Sequence, residues 1–209
     1  YLLKDASVSQ VMTKVCIALI PGITAYAWLV GPAILVQLVI ASLAALVAEA
    51  LMLRVRGKPL AMFLSDGSAV VTAWLIALTF PPLAPWWLVA TGTVFAIVVA
   101  KHLYGGLGQN PFNPAMIAFA VCIVAFPALM SQWPTVGLQF SLIDQINVVF
   151  GWTPRVDALS GATPLDAMKT ALKLGEGSVE IESLLSNQDI YGNFAGRGWE
   201  WVAGGYLLG

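Results

Sequence analysis

The chain has 209 residues, of which 59% are hydrophobic and only 10% charged, and its formal net charge is −1. A soluble domain carries about 25% charged residues, so this chain lacks the polar side chains to cover a globular surface. The balance gives no basic face for nucleic acid and predicts an all-α polytopic membrane protein whose surroundings are the lipid bilayer.

Residues 11–30 form a first apolar run, close to the ~20 residues of one crossing. Pro21-Gly22 lies within it and predicts a kink. Gly31-Pro32 is a tight connection. Residues 33–53 form the second run, with Glu49 near its end. Glu49 reads as a carboxylate reaching the interface or pairing with Arg54 or Lys58, with an ion-path role as the alternative.

Residues 60–80 are apolar but broken by Ser65-Asp66-Gly67-Ser68. The unbroken part, residues 69–80, rises ~18 Å as a helix, short of a ~30 Å hydrocarbon core. Two explanations stand side by side. One is a discontinuous helix lining a membrane site; the other is a span that starts late, with Asp66 as a solvated cap.

Pro81-Pro82-Leu83-Ala84-Pro85 turns the chain, and Trp86-Trp87 reads as an interfacial aromatic belt. Residues 87–100 make a fourth span that ends at Lys101-His102. His102 is the one histidine and sits beside a lysine, which suits an interfacial residue better than a metal ligand. Residues 105–114 then carry three glycines and two prolines and cannot continue a helix. At membrane depth such backbone must be buried in protein or line a cavity. The alternatives are an ordinary interfacial loop and a re-entrant loop. Asn113-Pro114 starts a fifth span over residues 115–130.

Residues 132–198 are polar. Leu142–Phe150 and residues 164–174 are short amphipathic helix candidates, and the acidic residues 176–193 read as surface loop. Trp199 and Trp201 mark another interface, and residues 202–208 begin a sixth span. The organisation is thus a five-span region over 1–131, a polar insertion over 132–198 and the start of a further span over 199–209. Cys16 and Cys122 lie in apolar runs without a CxxC or histidine nearby, which predicts buried thiols that pack as small hydrophobes. Tyr1 is no initiator methionine and Gly209 stops within an apolar run, so both ends are expected to be trimmed. No A-x-A site follows the first run, so a removed signal peptide is not expected.

Loop charges set the orientation. The connection after span two carries Arg54, Arg56 and Lys58, and the one after span four carries Lys101. The positive-inside rule puts these loops and the N-terminus in the cytoplasm and residues 132–198 outside.

Asp157-Ala158-Leu159-Ser160-Gly161-Ala162-Thr163-Pro164-Leu165-Asp166 is the stretch with the most chemistry. Locally it is a helix start: Thr163 suits the N-cap, Pro164 the first helical position and Asp166 the third. Gly175 can end that helix. A phosphoryl group on the Thr163 hydroxyl would meet the unpaired N–H groups and positive dipole end of the same helix.

Ser160-Gly161-Ala162-Thr163 is similar to the flavinylation motif of the RnfD/NqrB family, in which the threonine carries FMN through a phosphoester. Gly105-Gly106-Leu107-Gly108-Gln109-Asn110-Pro111-Phe112-Asn113-Pro114-Ala115-Met116 resembles the Gly/Asn/Pro-rich segment of that family, more closely its RnfD branch. Pro81 to Trp87 precedes it in the RnfD order. The family is longer than this chain and carries further spans in its C-terminal half. The resemblance implies a bundle of transmembrane helices with broken or re-entrant segments and one extracytoplasmic polar insertion. It also implies a subunit of an Rnf-type complex that links ferredoxin and NAD redox chemistry to Na⁺ or H⁺ movement. Thr163 is then the covalent FMN site, on the periplasmic side of a bacterial inner membrane, with Ser160, Gly161 and Ala162 leaving its approach open. The partners implied are other membrane and peripheral subunits of the complex. NAD and iron–sulfur clusters would belong to them, because this chain has no dinucleotide fingerprint or cluster-binding cysteine set. A second, noncovalent flavin among the spans is left open. The competing function is a channel or secondary transporter with discontinuous helices and no flavin. The motif ending at Thr163 favours the electron-transfer subunit.

Overall fold

Ser7 opens the first helix with a reciprocal cap: its hydroxyl accepts from the Gln10 N–H at 3.3 Å, and its own N–H donates to Gln10 Oε1 at 3.3 Å. The computed structural model describes residues 7–134, 140–153, 164–173 and 196–209. Among these every regular element is helical. Helix α1 (Val8–Leu29) runs without interruption through Pro21, and α2 (Ala33–Val55) follows after Gly31-Pro32. These two, of 22 and 23 residues, are long and apolar enough to cross a membrane.

The third apolar run is two pieces, α3 (Leu60–Leu64) and α4 (Ser68–Thr79). Gly67, at φ 78, makes the break, and Asp66 Oδ1 accepts both the Ser68 N–H at 2.7 Å and the Ser68 hydroxyl at 2.6 Å. After the prolines, α5 (Trp86–Phe95) passes directly into a π-helical segment, Ala96–His102. Asn113 caps α6 (Pro114–Ala125), and Pro127 restarts the chain as the short α7 (Pro127–Met130). The expected single span over 115–130 is therefore divided at Phe126, because Pro127 disfavours helical backbone in the residue before it. Among the described residues three further short elements follow: α8 (Leu142–Phe150), α9 (Pro164–Lys173) and α10 (Trp199–Leu208).

Helix α2 is central and touches α1, α3, α4, α5, α8 and the π segment. Its inner face carries Ala41, Ala45 and Ala48, which meet Ala69, Ala73 and Ala77 of α4 in one core. Small residues let backbones approach closely where no hydrophobic difference separates protein from lipid. The larger Leu35, Val39, Leu43, Val47 and Leu51 of the same helix face outward and are about half exposed. A second cluster joins Tyr26, Val30 and Ile34 to Val202 of α10. There α1 and α10 meet glycine to glycine: a Cβ added at Gly205 would lie 3.0 Å from the Gly22 Cα. Of the two thiols, Cys122 is buried as expected, but Cys16 is only half-buried, because much of α1 faces outward.

Candidate functional site

The most polar part of the interior lies where α2 meets the π segment and the start of α4. Lys101 Nζ donates to both Glu49 oxygens at 2.9 Å and to Ser68 Oγ at 2.9 Å. Glu49, Ser68, Lys101 and His102 are all at most 5% exposed. Here the sequence expectation is corrected. Glu49 neither reaches outward nor pairs with Arg54 or Lys58; it pairs with Lys101 across the bundle. The inner face of α2 includes Ala41, Ala45, Ala48, Glu49 and Leu53. Arg54 lies five residues after Glu49 and points elsewhere around a helix of 3.6 residues per turn.

His102 also departs from the expectation of an interfacial residue. The π winding continues in the bonds from Leu103 N–H to Val98 O at 3.1 Å and from Gly106 N–H to Lys101 O at 3.0 Å, each spanning five residues. It holds the neighbouring Lys101 and His102 both inside. Arg56 Nη1 lies 3.2 Å from His102 Nδ1. A guanidinium has only donors, so Nδ1 is the acceptor and the ring proton sits on Nε2. Nε2 lies 3.1 Å from Glu49 Oε2 but out of line for a full hydrogen bond. Arg56 further donates to the carbonyls of His102 at 3.3 Å and Gly105 at 3.1 Å, which ties the glycine-rich loop to the end of α2.

That loop is non-helical, as its glycines require: Gly105, Gly106 and Gly108 have φ of 113, 105 and 80. It is not packed inside the chain. Gly106 is buried, but most of residues 103–113 are exposed, Phe112 to 61%. Its polar backbone needs no enclosure where Asn110 and Asn113 close local turns and Arg56 takes the Gly105 carbonyl. Gly105, Gly106 and Leu107 border a cavity of ≈ 500 Å³ that also reaches Glu49, Asp66, Lys101 and His102.

The other predicted site, Ser160, Gly161, Ala162 and Thr163, lies outside the described residues, as do the proposed stop at Gly175 and the acidic stretch 176–193. Helix α9 starts at Pro164, immediately after Thr163 in sequence. Sequence reasoning missed Lys101 and Ser68 as partners. The available signal was scarcity: a lone lysine ending one apolar run and a lone glutamate in another find each other, because neither is stable alone at depth.

The NQR2, RnfD, RnfE family model matches residues 1–209. The chain is similar to an ion-translocating oxidoreductase complex subunit of Erwinia tasmaniensis, 46% identical over 218 residues, covering 97% of this chain and 61% of that protein. The protein of the same name from Alcanivorax borkumensis is 48% identical over 198 residues, covering 95% of this chain and 57% of its own length. That of Escherichia fergusonii is 43% identical over 216 residues, with 96% and 60% covered. The chain thus spans about three-fifths of the curated relatives it matches. With the match running from the first residue to the last, the chain belongs to the NQR2, RnfD, RnfE family.

Proposed function

We propose that this chain is part of a membrane subunit of an ion-translocating oxidoreductase complex in a bacterial inner membrane. The observation that carries the proposal is the family match along the whole chain, with relatives named for such a complex. Its partners are the other membrane and peripheral subunits and the lipid around them. The complex passes electrons between ferredoxin and NAD and couples them to movement of Na⁺ or H⁺. In this reading the breaks at Gly67 and at the glycine-rich loop belong to discontinuous or re-entrant segments. The arginine-rich end of α2 is cytoplasmic, and residues 132–198 lie in the periplasm.

Thr163 holds FMN through a phosphoester, with Ser160, Gly161 and Ala162 leaving the phosphate room. Support comes from the motif and from the helix that begins one residue later. The first N–H groups of a helix lack partners within it and lie at its positive end, which suits a phosphate. The bound flavin supplies the redox chemistry. The chain's part is to offer the Thr163 hydroxyl as anchor and to place helix donors beside the phosphate.

A flavin-free channel or transporter is the second reading, and the buried Glu49–Lys101 pair suits ion movement in either case. The two separate on covalent flavin. Protein made with its own maturation machinery is expected to fluoresce as flavin in a denaturing gel. Mass spectrometry is expected to place FMN less one water on the peptide over 157–169. In Thr163→Val the subunit should remain in the membrane without that mass. An unmodified peptide from the wild type sinks the flavin assignment and leaves the transporter.

A further inference from the structure

We propose that Glu49 and Ser68 form a cage for a small monovalent cation, and that the Lys101 ammonium is its tethered occupant, which a free cation from the adjoining cavity replaces. The site rests on the ion-translocating reading above for its purpose, while binding there needs neither flavin nor electron flow.

The cage is made of three oxygens. Both Glu49 oxygens and Ser68 Oγ lie 2.9 Å from Lys101 Nζ. Each N–H bond of the ammonium therefore has its own acceptor. The Ser68 hydroxyl is oriented from behind. Gly67, at φ 78, turns the chain so that Asp66 Oδ1 accepts both the Ser68 hydroxyl at 2.6 Å and the Ser68 N–H at 2.7 Å. The hydroxyl hydrogen thus points to Asp66, and the oxygen turns its lone pairs to Nζ. All three cage oxygens present negative charge to one point, which suits a positive charge whether it is carried by a side chain or free.

The charges around the cage call for one positive charge. Glu49 and Lys101 are each 3% exposed at the side chain, so an empty cage would leave a buried carboxylate alone. Asp66, behind Ser68, forms no ion pair among the described residues. A divalent ion is a poor fit. Ca²⁺ takes about 6–8 oxygen ligands, and Arg56 and Lys58 face the same cavity. His102 adds only a donor, with Nε2 3.1 Å from Glu49 Oε2.

The exchange has room. Glu49, Asp66 and Lys101 all border the ≈ 500 Å³ cavity, so a cation that enters it meets the cage directly. The flexible four-carbon stem of lysine lets the ammonium swing out into that space. One positive charge leaves the cage as another enters.

The test is made on the full-length subunit purified in detergent, with choline chloride keeping the ionic strength constant. Lys101→Ala vacates the cage, whereas Lys101→Met fills it with an uncharged side chain. Thermal unfolding of each is followed in sodium, ammonium and methylammonium chloride. For Lys101→Ala the midpoint is expected to rise by about 5 °C or more once a small cation exceeds its dissociation constant about a hundredfold. Lys101→Met, and a double variant carrying Glu49→Gln with Lys101→Ala, should show no such rise. A Lys101→Ala subunit that responds alike to choline and to every small cation overturns the cage, as does an equal rise in Lys101→Met. If Lys101→Ala is not recovered, the wild type carries the test. Acetic anhydride should modify Lys101 several-fold faster in sodium than in choline, read by mass spectrometry of its peptide, because a displaced Nζ lies in the cavity. Equal rates overturn the exchange. Ion uptake by the complete complex without any cation response in these measurements overturns the cage and leaves the functional reading standing. A cation response in a complex that moves no ion upholds the cage and overturns that reading.

Discussion

Gln145 Oε1 accepts the backbone N–H of Ala33 at 2.9 Å, although 112 residues separate them. The amide caps the start of α2, where four N–H groups have no partner within the helix. Its Nε2 donates to the Phe140 carbonyl at 3.1 Å, so α8 and the chain before it are pinned to the end of the bundle. Gly31 makes the approach possible: at φ 131, a Cβ there would lie 2.7 Å from both polar atoms of the Gln145 amide.

Gln145→Ala is therefore expected to cost about 1–3 kcal/mol, because the buried Ala33 N–H loses its acceptor. Gly31→Ala combines the same collision with backbone strain of about 1–3 kcal/mol. Thermal unfolding of the purified subunit in detergent checks both. If neither variant lowers the midpoint, the contact does not hold α8 in place.

Glu49 and Lys101 are buried together, so breaking one side leaves a charge alone. Glu49→Gln or Lys101→Met is expected to destabilise by about 3–5 kcal/mol, whereas replacing both residues by methionine costs much less. A double-mutant cycle on unfolding midpoints measures the coupling. Additive effects would show that the two side chains do not depend on each other.

The positive-φ glycines predict a graded response in the loop. Gly108, at φ 80 with open space around its Cβ position, should accept asparagine with little loss of assembled complex. Gly105, at φ 113, where an added Cβ would lie 2.9 Å from Gln109 Cβ, should not accept alanine as easily. Subunit recovery after membrane extraction compares them; equal tolerance would mean that backbone conformation does not limit the loop.

The orientation is open to a labelling test. A cysteine at Gly57, in an exposed turn with nothing near its Cβ position, should be shielded from an impermeant thiol reagent added to intact spheroplasts. One at Ser178 should react. The reverse pattern would put Thr163 on the cytoplasmic side.

Breaks in the bundle were the most legible feature of the sequence, because proline and glycine act through local backbone geometry. The Ser65–Ser68 interruption, the turn before Trp86 and the non-helical run after His102 all fall where those residues stand. The inward face of α2 was harder to see. Alanine faces in while leucine and valine face out, so the two sides differ in size and hardly in polarity. The pairing of Glu49 with Lys101 depends on how α2 and the π segment are rotated against each other, and no local pattern carries that information. The π winding itself left no sequence mark that we can identify.

The two ends of α2 are fastened by different chemistry. At its start, Gln37 Nε2 donates to the carbonyls of Pro82 at 3.2 Å and Ala84 at 2.6 Å, and Gln145 holds Ala33; both fasteners are amides. Near its other end the fasteners are a carboxylate, an ammonium, an imidazole and a guanidinium. The fasteners at the start are neutral amides, whereas those near the other end include charged groups. Removing one charge from the second set would thus loosen α2 at that end only. The Gln37 end would serve as a fixed pivot, and any motion of the helix would be a tilt about it.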